Sequence, residues 1–211
     1  MARRTFHRAP EAERRHDLIE ATLDCIAEYG LQGATVRQIA IKAGVTAGLI
    51  RHYFQSKEHI LQEAYRVVIA RLTEKAERVT GDAETRLRDF IVINLTEPVA
   101  NSRSLSLWAS FISRVSVDPE LAAIHREGYL SFRDALETLL ADFLAERNVD
   151  ASPERCRRLA IAINGLLDGL WLECCLAGEL FGESELVEIA LTSIERLLGL
   201  PLRPAAAGTR S

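Results

Sequence analysis

The 211-residue chain is poor in the residues that staple, break or ligate. Cysteine occurs four times, as Cys25, Cys156, Cys174 and Cys175, and never as CxxC. That spacing suits neither a disulfide framework nor a zinc site, so the four read as small apolar helix residues in reducing surroundings. The five histidines, His7, His16, His52, His59 and His125, form no metal-ligand pair, and HExxH, P-loop, GxGxxG and GxSxG motifs are all missing. No cofactor, no metal and no catalytic activity is expected. Apolar runs are short as well: the strongest, 159–172, is interrupted by Asn164 and Asp168, where a membrane span needs about 20 predominantly apolar residues. Arg3, Arg4 and Arg8 at the N-terminus precede no apolar stretch, unlike a secretory leader. These lacks together predict a cytoplasmic protein with no membrane partner.

Strict polar/apolar alternation is almost missing, and Gly and Pro punctuation is sparse, so strands are not expected. What is present is apolar spacing at helical period. Leu18, Thr22, Cys25, Ile26 and Tyr29 share one helix face, which Gly30 closes. Thr35 followed by Gln38 has capping-box spacing and opens a second helix that ends at Gly44. Thr46 caps a short third helix to Phe54, and Ser56 caps a fourth that runs to about Val79. Further helices are predicted at 83–97, 103–115, 119–147, 153–177 and 183–198, two of them opened by Asp118-Pro119-Glu120 and Ser152-Pro153-Glu154. After Pro201 the tail to Ser211 has no packing face. The fold class is all-α, about nine helices, the first three short and tightly connected.

The segment 35–54, TVRQIAIKAGVTAGLIRHYF, joins two short helices through AGVT, the layout of a helix-turn-helix. The second helix of such a unit enters the DNA major groove N-terminus first. Ala47 and Gly48 let it come close, Thr46 offers a hydroxyl, Arg51, His52 and Tyr53 supply donors, and Lys57 opens the next helix. Thr35 and Arg37 stand on the preceding helix of the same unit. Charge sharpens the reading. The chain totals −4, but residues 1–57 hold nine Lys/Arg against six Asp/Glu, a net of +3, while 58–211 carry −7. From Tyr29 to Lys57 there are four bases and no acid, the footprint of a phosphate-binding face. The acidic remainder limits adhesion to DNA elsewhere. The expected division is 1–57 for DNA binding and 58–211 for the rest, with 201–211 as a tail. A helical protein-interaction module without DNA binding is the alternative.

The stretch IAIKAGVTAGLIRHYFQSKEHIL resembles the DNA-binding signature of the TetR family of transcriptional regulators. AGV, Gly48, Tyr53-Phe54, Lys57 and Leu61 fall in register, whereas Arg51 stands where many members carry an aromatic residue. GLIRHYF together with LLDGLWLECCLAGE at 166–179 is similar to the BetI-type subgroup, repressors of genes that convert choline to glycine betaine. The resemblance implies a homodimeric, ligand-released repressor on a near-palindromic double-stranded operator. It also implies a C-terminal helical domain that binds a small-molecule effector, choline or another quaternary ammonium, and dimerises through its last two long helices. The residues agree: Ala162, Gly165 and Gly169 allow close helix approach beside Leu166. Trp108 with Phe111, Tyr129 with Phe132, and Trp171 with Asp168 one turn before it are the candidate effector contacts, because aromatic faces and a carboxylate hold quaternary ammonium groups. Core packing and a salt bridge across the dimer are the other uses these residues could have.

Overall fold

The computed structural model describes residues 11–73, 79–182 and 184–202. Among them are nine α-helices and no strand: α1 Glu11–Gly33, α2 Val36–Lys42, α3 Ala47–Tyr53, α4 Lys57–Thr73, α5 Ala83–Asn94, α6 Ser102–Val115, α7 Pro119–Glu146, α8 Pro153–Ala177 and α9 Glu185–Leu198, with a 3-10 turn at Gly178–Leu180. The all-α expectation holds.

Local chemistry explains most boundaries. Thr35 and Thr46 sit in extended conformation as N-caps, and their hydroxyl oxygens accept from the Gln38 and Leu49 backbone N–H groups, each at 3.3 Å. The return half of the capping box is not made: the Gln38 side-chain carbonyl is buried without a hydrogen-bond partner. Asp82 caps α5, accepting from Thr85 N–H at 2.8 Å, and Asp118 caps α7. Ser152 precedes Pro153 as expected, but its hydroxyl turns to Asp150. Gly199 takes the left-handed conformation (φ 69°) that ends α9.

Gly30 (φ 70°, ψ 174°) leaves helical geometry and ends the long part of α1 as expected, and a short helical turn follows across the kink to Gly33. Two expectations shift. α5 ends at Asn94, before Pro98 imposes a stop. The chain after Pro201 is not wholly free: Leu202 is buried, and its N–H donates to Glu195 at 2.7 Å. Residues 1–10, 74–78 and 203–211, which hold the N-terminal arginines, the end expected for α4 and most of the tail, lie outside the described residues. Val79 itself is not helical.

Contacts gather the chain into two compact units, and the division falls inside α4, α6 and α7. The first takes the chain up to Val68 together with Ser106–Ile124. Its buried residues include Leu18, Leu23, Ile26, Ile39, Ile50, Phe54, Ile60, Tyr65 and Phe111. The second takes Ile69–Leu105 and the chain from His125 onward. Its core joins Leu87, Phe90, Ile91, Leu136, Leu140, Phe143, Ile163, Leu167, Ala190 and Ile194 from α5, α7, α8 and α9. Arg86–Asp142 (2.8 Å) ties α5 to α7 over that core, and Arg147, in the turn just after α7, pairs with Glu84. Gly128 lets α7 pass close to α4, since a β-carbon there would stand 2.0 Å from Ile69 Cγ2.

Candidate nucleic-acid interface and effector region

In the first unit, the turn between α2 and α3 is closed by the Val45 N–H, which donates to Ala40 C=O at 3.0 Å. Gly44 there has φ +65°, a conformation that a β-carbon would oppose. Ile39, Ala40 and Ile50 are the buried side of the pair. The opposite side presents Thr35, Arg37, Thr46, Gly48, Arg51 and His52 to solvent, with Ala47, Tyr53 and Lys57 half-buried. Short helices with one buried edge, a tight glycine turn and an exposed polar edge define the helix-turn-helix class of DNA-binding proteins.

The geometry redistributes the basic charge. Lys42 is held by Glu28 at 2.9 Å, an ion pair that lowers the Glu28 carboxyl, after the Tyr29 hydroxyl, and raises the Lys42 ammonium. Lys57 donates to the Leu31 and Gln32 carbonyls at 3.4 and 3.5 Å, at the end of α1. Two of the four bases are therefore engaged within the fold. Arg37 and Arg51 are exposed and carry no intramolecular hydrogen bond or ion pair among the described residues. Thr35 and Thr46 keep their hydroxyl protons to donate while their oxygens cap the helices. Tyr53 meets His52 edge-on at 5.2 Å.

The candidate effector residues divide between the two units. Trp108 and Phe111 belong to the first. Phe111 is fully buried and stacks on Tyr65 at 4.5 Å, so its ring fills core. Tyr129, Phe132, Asp168 and Trp171 belong to the second. Phe132 packs against Phe90 at 4.9 Å, and the Trp171 indole donates to the Val99 carbonyl at 3.1 Å. Asn164, which sequence reasoning left as a mere interruption, is buried and central. Its amide nitrogen donates to Asp168 Oδ2 at 2.9 Å and lies 3.3 Å from the Tyr129 hydroxyl. Asp168 is exposed along one edge, yet its carboxyl is hemmed in on the other. Desolvation raises its pKa above the ordinary aspartate value, and the Asn164 bond partly opposes that rise. The Tyr129 ring is flanked by His125 at 6.2 Å and by the Arg133 guanidinium at 6.0 Å. Burial in turn lowers the His125 pKa.

On α8, Ala162, Gly165 and Gly169 are exposed and Leu166 is half-buried. Ile161 (42%) and Leu176 (69%) extend the same exposed stripe, and Ile189 and Leu197 do so on α9. The helical span 153–180 is by length and composition apolar enough to cross a membrane, a length that the interrupted run 159–172 does not suggest. Its other face packs Cys156, Ala160, Ile163 and Leu167 into the core, and a soluble core helix meets the same test.

Comparison with known proteins agrees with the class. Residues 18–64 match the family model for bacterial regulatory proteins of the tetR family, and residues 83–199 match that of the BetI-type transcriptional repressor C-terminal domain. The HTH-type transcriptional regulator BetI of Yersinia pestis (strain Pestoides F) is 32% identical over 192 residues, 89% of this chain and 93% of that protein. A putative transcriptional regulator from Pseudomonas aeruginosa PAO1 superposes with a TM-score of 0.79 at 30% identity, covering 92% of this chain and 94% of its own. A putative regulator from Saccharomonospora viridis, solved in complex with choline, shares the fold at a TM-score of 0.66 and 19% identity, over 90% of this chain and 97% of its own. The chain belongs to the TetR family of DNA-binding transcriptional regulators and carries a BetI-type C-terminal domain. Its relatives are named regulators and not enzymes, in keeping with the missing catalytic motifs.

Proposed function

We propose that the protein acts as a homodimeric repressor that leaves a near-palindromic operator when a small cation binds its C-terminal domain. Residues 1–57 read the DNA, with Arg37 and Arg51 as exposed cations and Thr35, Thr46, Ala47, Gly48, His52, Tyr53 and Lys57 along the same edge. Residues 58–211 bind the effector and dimerise through α8 and α9, burying Ala162, Gly165, Leu166 and Gly169. A two-fold dimer spaces its recognition helices about one DNA turn, roughly 34–36 Å. Such a regulator works in the cytoplasm, away from membranes.

The observation that carries the effector reading is the Asp168 carboxylate, held by buried Asn164 beside Tyr129, with raised pKa. A carboxylate so placed favours a cation that replaces lost water. Choline or another quaternary ammonium suits it, and the choline complex of the Saccharomonospora viridis regulator supports that chemistry within the fold. Among the aromatics, Trp171 and Tyr129 are nearest in sequence or bonding to Asp168, whereas Phe111 is spent on the core.

The test is fluorescence anisotropy with a duplex from upstream of the protein's own gene. Specific binding with a steep salt slope is expected, and choline is expected to weaken it about 5–150-fold, a coupling of ~1–3 kcal/mol. Operator affinity that stays constant over the whole range in which choline binds would overturn the gating. Choline that does not bind at all would overturn choline as the ligand alone.

A further inference from the structure

One guanidinium in the first unit holds three contacts at once. Arg15 lies near the start of α1, far in sequence from the helix-turn-helix. Its Nη1 donates to the Tyr53 carbonyl at 3.2 Å, and its Nη2 to Glu63 Oε2 at 2.9 Å. The guanidinium carbon sits 4.6 Å from the centroid of the Phe54 ring. Tyr53 is the last residue of α3, and Phe54 is its C-cap, buried to 1% exposure. Glu63 is on α4, where Arg66 also approaches it at 3.6 Å.

The last carbonyls of a helix have no partner within it and carry the negative end of its dipole. A helix of seven residues has too few hydrogen bonds to set its own direction. Its angle to the DNA must come from what grips its ends. Thr46 grips the N-terminal end from within the turn. The C-terminal end is gripped by Arg15, which stacks on the cap residue, bonds the last carbonyl and is itself tied to α4. A planar guanidinium can make all three contacts at once; an ammonium cannot.

We propose that Arg15 is the positioning residue for the recognition helix, a joint through which α4 sets the angle of α3. It does not touch DNA. The proposal rests on α3 being the recognition helix, and the experiment keeps the two claims apart.

The full-length protein is measured against the same upstream duplex at several salt concentrations, alongside its thermal unfolding. Arg15→Lys keeps the charge and loses the fork. We expect it to stay folded and to weaken operator binding about 5–10-fold, the effect of losing one ordinary hydrogen bond. The salt slope should not change, because no phosphate contact is lost. Glu63→Gln, which removes the charge but keeps an acceptor, should weaken binding less. The double variant should lose less than the product of the two, because both act on one joint. Arg15→Lys binding as tightly as wild type would overturn the proposal. So would a salt slope reduced by about one per protomer in Arg15→Gln, which removes the charge and would thereby show Arg15 to be a phosphate contact. A lowered melting temperature with unchanged affinity of the folded protein would reduce Arg15 to a structural role and refute positioning. Arg51→Ala serves as the control on α3. If it leaves both affinity and slope unchanged, the recognition helix is misassigned, whatever Arg15 does.

Discussion

Replacing Gly165 with arginine puts the proposed dimer seam to a direct test. Gly165 lies mid-way along α8 on its exposed stripe, and a β-carbon there would meet nothing within 4 Å. Within one chain the substitution is therefore unopposed by packing. It replaces a helix-interior glycine by a good helix former, which favours the folded helix by roughly 0.5–1 kcal/mol. In a two-fold dimer through α8 the same position faces the partner, and each dimer receives two buried cations of like sign. The effective cost of desolvating one unpaired ion is several kcal/mol. Taking about 3 kcal/mol each, the dimer loses about 6 kcal/mol, and its dissociation constant rises about 10⁴-fold. Sedimentation velocity over a dilution series reads that change, and circular dichroism reads the helix content of the same samples. The expected result is a helical monomer at concentrations where wild type is dimeric, with operator binding lost because two half-sites are no longer linked. A dimer of undiminished strength would refute the seam. Loss of helix content at high and low concentration alike would refute the claim that the site is open within the chain.

Two further outcomes follow from the core and from Asp168. Phe111→Ala removes a fully buried ring stacked on Tyr65, a loss of about 3–5 kcal/mol; at roughly 2–4 °C per kcal/mol for a chain of this size, calorimetry should show a fall of about 6–20 °C. Choline affinity of the folded protein should be unchanged, and a loss of affinity without a fall in melting temperature would return Phe111 to the effector site. Asp168→Asn keeps an acceptor for the Asn164 amide and removes the desolvated charge. Because the folded-state pKa of Asp168 lies above its ordinary value of 3.8, the folded state holds the proton more tightly, so wild-type stability falls as pH rises from 3.8 through the folded pKa. Denaturant titrations should find the variant gaining on wild type across that window and at least as stable at neutral pH, while its response to choline is lost. A variant that falls behind as pH rises would show that the carboxylate is stabilised by a partner and is not simply desolvated.

Much of this molecule is legible in local chemistry. The caps at Thr35 and Thr46, the left-handed Gly44 and the small Ala40 act within one turn of chain, and such signals survive in sequence because their partners are three to five residues away. The basic stretch from Tyr29 to Lys57 was visible in the same way. Its meaning changed on folding: Lys42 met Glu28, and Lys57 met the end of α1, leaving Arg37 and Arg51, of those four, without a partner among the described residues. The aromatic pairs at helical spacing were equally legible as pairs, but spacing along a helix does not say which side faces a core.

The sequence by itself determined the class: helical period, turn chemistry and local charge balance all act over a few residues and point to an all-helical chain with a basic helix-turn-helix, and its signature stretch resembles the TetR regulators. Tertiary structure decided which of those residues are free to act. Arg15 gained its three contacts from residues 38 to 48 positions away. Asn164 became the hinge of a polar cluster through Tyr129, 35 positions distant. Phe111 went to the core because Tyr65 came to meet it. Contacts at such separations depend on how helices pack, and packing is set by the complementary surfaces of many side chains at once, which no single motif encodes.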